Sequence, residues 1–250
     1  MTPAGAPPGS DRVPGTRRLT ARSVVLSVLL GAHPASATAA ELIRLTRDFG
    51  IRESTLRVAL SRMEAAGDLI RADDGYRLAD RLLARQRRQD AALEPSLRDW
   101  DGSWTTLVIT AVGADARSRA DLRARLRQAR FGELREGVWL RPANLEDSGF
   151  DDLAGRARVL SARDDDPAAL AAALWDLDGW AGRGRDLLAA LSRADDVPAR
   201  FAVAAAIVRH LLTDPVLPTA LLPPDWPGDQ LRAAYREFAA DFARRLASTP

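Results

Sequence analysis

Gly50 to Leu69, Gly-Ile-Arg-Glu-Ser-Thr-Leu-Arg-Val-Ala-Leu-Ser-Arg-Met-Glu-Ala-Ala-Gly-Asp-Leu, is the stretch that decides how this chain is read. Leu56, Ala59, Leu60 and Met63 fall at i, i+3, i+4 and i+7, the spacing of one helix face. At roughly 100° per residue, Ser54, Val58 and Ser61 point the other way, with Arg57 and Arg62 on either side. Small residues let such a face enter a DNA major groove, and guanidinium groups reach phosphates or guanine edges. Gly67 ends the helix, because glycine accepts the left-handed C′ position at little cost. The plain alternative is an ordinary surface helix with a solvated charged face. The flanking segments decide between the two.

Upstream, Thr20 to Leu30 reads as a short apolar helix. The same region, from Thr16-Arg17-Arg18 through Val24–Leu30 to Ala37-Thr38-Ala39, imitates a twin-arginine export signal with a small-residue cleavage site. Cleavage there would remove the first helix from the motif that follows, so the helix is the better reading and a cytoplasmic location is expected. Thr38-Ala39-Ala40-Glu41 is a capping box opening a second helix that runs to about Phe49, with Leu42, Leu45 and Phe49 inward. Gly50 makes the turn into the Leu56 helix. Downstream, Asp68 to Leu78 reads as two short strands around an Asp74-Gly75 turn. The order is helix, capped helix, glycine turn, helix, wing: a winged helix-turn-helix. The candidate DNA-binding residues are Ser54, Thr55, Arg57, Val58, Ser61 and Arg62 on the helix, with Arg71 and Arg77 on the wing placed to touch backbone phosphates.

Charge agrees with that assignment. Residues 1–90 hold 15 Arg against 10 Asp and Glu, net +5, while residues 91–250 hold 21 against 24, net −3. A basic front on an otherwise acidic chain suggests nucleic acid contact through the front. The chain has no cysteine, which excludes disulfides, thiolate metal sites and cysteine nucleophiles. Its two histidines, His33 and His210, are far apart, so no zinc site, no other metal and no cofactor is expected. No segment approaches the roughly 20 apolar residues of a membrane span.

Residues 1–17, rich in Pro, Gly and Ala, read as a disordered arm, and 18–80 as the winged-helix domain. Residues 81–99, with Arg81, Arg85, Arg87 and Arg88, read as a helical linker, solvated along its length. Composition shifts at Trp100. Strand 103–111, helix 117–130, a hairpin from Phe131 to Pro142, a weak helix 147–154 and strand 158–161 give β-α-β-β-α-β, the ferredoxin-like pattern, over 100–165. Residues 166–250 read as a helical C-terminal domain. Its helices begin at Asp166-Pro167, near Gly184, at Pro198 and at Asp229. A proline-rich strap, Asp214 to Gly228, interrupts them; its prolines forbid regular helix, and its apolar residues need burial. The fold class is α+β.

Four stretches together resemble the PaaX-like family, the transcriptional repressors of phenylacetic acid catabolism. They are Leu56-Arg57-Val58-Ala59-Leu60-Ser61-Arg62-Met63 with Gly67 and Leu69; Trp100-Asp101-Gly102-Ser103-Trp104; Phe131-Gly132-Glu133-Leu134-Arg135-Glu136-Gly137-Val138-Trp139-Leu140-Arg141-Pro142; and the strap from Asp214-Pro215 to Asp225-Trp226-Pro227-Gly228. Asp68 stands where the family commonly has Trp, and the wing lacks the usual Arg-rich run. The resemblance implies a homodimer on a palindromic double-stranded DNA operator. It also implies an acyl-CoA effector, phenylacetyl-CoA in the family's namesake, that releases the DNA. It does not identify the effector-binding residues.

Two other functions compete. The middle domain also resembles the ferredoxin-like endonuclease of CRISPR adaptation, a metal enzyme with an Asp at the end of its first strand. Here the first carboxylate after that strand is Asp115. Asp164-Asp165-Asp166 would hold Mg²⁺ but read more simply as a loop ending in a helix cap. With no phosphate loop and no Ser-His-Asp order, catalysis is not expected. The other competitor is a protein-interaction module in which the winged helix pairs with partners instead of DNA.

Overall fold

In the computed structural model, residues 19–110, 115–146 and 156–247 are described, with side chains to Arg244. The sequence-level arm 1–17 and weak helix 147–154 fall outside these residues. The first helix, α1 (Ala21–Gly31), starts at Thr20, whose hydroxyl accepts the Ser23 amide. Strand β1 (Ser36–Thr38) leads into α2 (Ala39–Arg47), and Thr38 and Glu41 form both halves of the capping box. Gly50, at φ +64°, turns the chain into α3 (Glu53–Ala65), and Gly67, at φ +66°, ends it. Strands β2 (Leu69–Arg71) and β3 (Gly75–Leu78) complete a three-stranded sheet in the order β1-β3-β2.

The wing differs from its sequence-level outline in two ways. It has a third strand, β1, too short to show periodicity. Gly75 is a strand residue, and the hairpin loop is Asp73-Asp74, closed by hydrogen bonds between Ala72 and Gly75. Glycine stands at 75 because β1 crosses so closely that a Cβ would lie 2.2 Å from the Ala37 carbonyl oxygen.

The segment 81–99 is not a solvated connector. Most of it belongs to α4 (Asp80–Leu93), which buries Leu82, Gln86, Gln89 and Ala92 against α1 and α8. The Gln86 amide donates to the Ala32 carbonyl at 2.8 Å, satisfying a group at the end of α1.

The middle domain contains β4 (Trp104–Ile109), α5 (Ala116–Gln128), β5 (Gly132–Arg135), β6 (Val138–Pro142) and β7 (Ala157–Ala162). Its sheet is antiparallel in the order β5-β6-β4-β7, the ferredoxin-like arrangement. Leu107, Leu126, Phe131 and Trp139 form its core on the α5 side. Trp104 and Leu140 pack against the C-terminal part of the chain.

That part contains α6 (Pro167–Leu174), α7 (Leu177–Arg193), α8 (Val197–Leu211) and α9 (Gly228–Ala247). Helix α7 begins seven residues before Gly184, running through Gly179 and Gly182, which by propensity alone argue against helix. Gly184 is needed for packing: a Cβ there would meet Pro227 Cγ at 2.8 Å. The strap between α8 and α9 buries Pro215, Val216, Leu217, Leu221 and Pro227, as its apolar content requires. Trp226, Trp180 and His210 stack in three layers, with centroids 4.3 and 4.2 Å apart. Burial pushes the His210 imidazole below its usual pKa, with the Trp180 carbonyl acting the other way.

Two seams join these parts. Val24, Val28 and Leu45 of the winged helix share a core with Phe201 of α8, and Phe49 meets Phe201 edge-on at 5.0 Å. The second seam is ionic. Asp214, 1% exposed, accepts from Arg232 at 2.6 Å, and Arg232 also donates to the α4 carbonyl of Ala92 at 3.2 Å. Arg130 of the middle domain donates to the carbonyls of Leu212 and Asp214, both at 2.7 Å. Asn144 donates to Val216, a β-branched residue at φ +55°, which the Asp214 carboxylate also holds through its amide. Asp214→Ala would remove the buried partner of Arg232 and leave it only the Ala92 carbonyl and the solvent-exposed carboxylate of Asp229 at 3.6 Å, so a loss of about 3 kcal/mol is expected. Asp68 is also buried, but its partners Arg22 and Arg81 are 60% and 57% exposed and rehydrate when released. Asp68→Ala should therefore cost less, about 1–2 kcal/mol; urea unfolding of both variants measures the order.

Candidate nucleic-acid interface

Helix α3 turns Leu56, Leu60 and Met63 inward, at 0–3% exposure. Its other side is open: Ser54, Thr55, Arg57, Val58, Ser61 and Arg62 are all exposed. Val58 is 52% exposed, an apolar side chain in the middle of a polar face. The amino end of α1 lies alongside, so that Thr20, Ala21 and Arg22 together with Ser54, Thr55, Val58 and Arg62 line one shallow groove. The first helix thus brings the positive end of its dipole to the same surface.

The cations of this surface are in different states. Arg57 leans back onto Glu53, with hydrogen bonds of 2.9 and 2.5 Å. An exposed pair of this kind is worth about 0–1 kcal/mol and exchanges readily for another anion. Arg62 has no ion pair among the described residues. Arg52 occupies the N-cap of α3 without a capping hydrogen bond. Asp, Ser or Thr there would stabilise the helix by about 1 kcal/mol, and a cation opposes the helix dipole. Apolar spacing carries no signal for Arg52; a basic residue in place of a cap does.

Asp68 is built into the fold. Its carboxylate accepts from Arg22 at 2.8 Å and from Arg81, while Arg81 also donates to the Gly67 carbonyl at 2.9 Å. The start of α1, the end of α3 and the start of α4 meet on this one side chain.

The wing separates its two arginines. Leu69 pairs with Leu78, Ile70 with Arg77 and Arg71 with Tyr76. Directly opposed residues share a face, so Arg71 lies on the inner face with its guanidinium 5.8 Å from the Tyr76 ring, and Arg77 lies on the outer face near Asp80. Asp73 and Asp74 form the tip between them.

Of the carboxylates weighed for metal binding, Asp115 and Asp166 are used as helix caps. Asp115 accepts the Ser118 amide and hydroxyl, both at 2.9 Å, and these bonds hold its pKa below the usual carboxylate value. Asp166 caps α6 by accepting the Ala169 amide at 3.0 Å. Among the described residues no three His, Asp or Glu side chains converge as metal ligands, and no helix is long and apolar enough to cross a membrane.

Three family models match the chain in this order: PaaX-like protein over residues 20–82, PaaX protein central Cas2-like domain over 97–161, and PaaX-like protein C-terminal domain over 178–248. No curated protein matches. Among solved structures, the uncharacterized protein Rv0674 from Mycobacterium tuberculosis is 63% identical, with a TM-score of 0.82 over 91% of this chain and 97% of that one. With an α+β architecture, a Cas2-like centre and matches over most of its length, the chain belongs to the PaaX-like family.

Proposed function

We propose that this chain is a DNA-binding transcriptional regulator, a repressor that leaves a palindromic operator when an acyl-CoA-type effector binds. The observation that carries this reading is the exposure of all six α3 residues, four of which, Ser54, Thr55, Val58 and Arg62, line one shallow groove with Arg22 of α1. A protein-only interface would favour a larger apolar patch there; Val58 stands alone among small and basic residues, as a contact to a thymine methyl requires. Family membership supports the regulatory role. The cap duties of Asp115 and Asp166 favour binding over catalysis as the purpose of the middle domain.

A homodimer would set two α3 helices about one turn of duplex apart, roughly 34–36 Å, and a pair so spaced selects a two-fold site. The effector need only bind the released state more tightly than the DNA-bound one. The chain would act in the cytoplasm, where its operator is.

Arg57→Ala and Arg62→Ala should each weaken operator binding by about 1–3 kcal/mol. Gel shifts on an operator selected from random duplexes measure this, and unchanged affinity in both variants would place the DNA surface elsewhere. The wing should contribute less. Its arginines lie on opposite faces, and the Asp73-Asp74 tip repels phosphate. One of Arg71→Ala and Arg77→Ala should therefore lower the salt slope by about 1 and the other leave it unchanged, with the double variant matching the stronger single one.

A further inference from the structure

Beside the aromatic seam, α1, α4, α8 and α9 do not close fully. They leave a cavity of about 160 Å³ between the winged helix and the C-terminal helices. Val28, Leu30, Phe201, Ala204, Val208 and Phe238 make its walls apolar. Arg85 of α4 and Arg209 of α8 line it from its exposed side. Neither guanidinium has an ion pair or hydrogen bond among the described residues. Burial, and then the charge of Arg85, holds Arg209 below the usual arginine pKa. Two like charges at the rim of an apolar hole oppose each other while it is empty and cooperate once an anion lies between them.

The size of the hole restricts what enters. A cavity of that volume has room for a benzene-sized molecule. We propose that this cavity is the effector site and takes a single aromatic ring, or a hydrocarbon group of that size, carrying an anion that Arg85 and Arg209 hold. The assignment of an effector rests on the regulatory reading above; the pocket and its ligand chemistry do not.

The position of the cavity supplies the coupling. Ser27, Val28, Leu30 and Gly31 of α1 form one wall, and α1 packs against α3. A ring inserted between α1 and the α8–α9 pair is bound best when those helices stand apart, so occupancy biases the pose of the recognition helix.

Two ligand sources share this chemistry. A free aryl carboxylate would end at the two arginines. A CoA thioester would place its acyl ring in the same cavity and run its phosphates past Arg209 into the adjoining groove, where Trp175, Trp180 and Arg183 lie.

Calorimetry on the full chain without DNA tests the site with phenylacetate, phenylacetyl-CoA and coenzyme A alone. The acid or the thioester should bind, and Arg85→Ala and Arg209→Ala should each weaken it about tenfold or more, the loss of a hydrogen bond to a charged group. Ala239→Phe, which fills the cavity from α9, should abolish binding while the unfolding transition stays cooperative. Weakening by Arg183→Ala identifies the thioester as ligand; insensitivity to it identifies the free acid. No binding of either compound at millimolar concentration overturns the proposal. So does equal binding of coenzyme A alone, or wild-type affinity in both arginine variants. If Ala239→Phe does not fold, the exposed arginine variants decide alone. Because no DNA is present, a failure of the regulatory reading would appear only in the gel shifts.

Discussion

One buried carboxylate, Asp214, ties the three parts of this chain together. It accepts from Arg232 on α9, its own carbonyl is held by Arg130 from the middle domain, and Arg232 reaches α4 behind the winged helix. Burying such charges costs several kcal/mol per ion before pairing offsets it. The cluster therefore adds little stability over an apolar replacement. Its effect is on arrangement: the four groups satisfy one another in only one disposition of the three parts. Burial works against the charge of Arg130, and Asp214 is the neighbour that favours it.

The aromatic seam completes the union. Phe49, Phe201, Phe238 and Phe242 join the winged helix to α8 and α9, so its helices have a fixed seat. A seat that is tight on one side and hollow beside it suits a switch. The packed side keeps the two parts together; under the proposal above, a small ligand in the hollow side would alter the angle between them. Arg85 and Arg209 stand at that hollow without a hydrogen-bond or ion-pair partner among the described residues.

Local rules made much of the winged helix legible. Period 3.6 in α3, the Thr38–Glu41 capping box and two glycines at positive φ each rest on a few neighbouring residues. The strap was legible for a similar reason, since five prolines among Asp214–Gly228 exclude a regular α-helix and leave its apolar residues needing cover. What stayed hidden depends on residues far apart in sequence. The arginine-rich surface of α4 masks a buried stripe containing Gln86 and Gln89, polar residues that cap α1. Strand β1 is three residues long. The start of α7 is obscured by Gly179 and Gly182, which argue against helix by propensity. Among the site residues, the exposed face of α3 could be read from its spacing. The opposite faces of Arg71 and Arg77 could not, because the register depends on where the turn closes, and Gly75 belongs to the strand.

The central claim is that the face of α3 carrying Ser54, Val58 and Ser61 enters a major groove, twice per dimer. Guanine N7 methylation protection on a duplex selected by the full chain tests it most directly, because N7 lies in the major groove. The account predicts two protected clusters centred about 10–10.5 base pairs apart, or a multiple of that spacing, both lost when Arg57 and Arg62 are replaced by alanine. Tight binding that leaves every N7 reactive, or protection unchanged in the double variant, would contradict it.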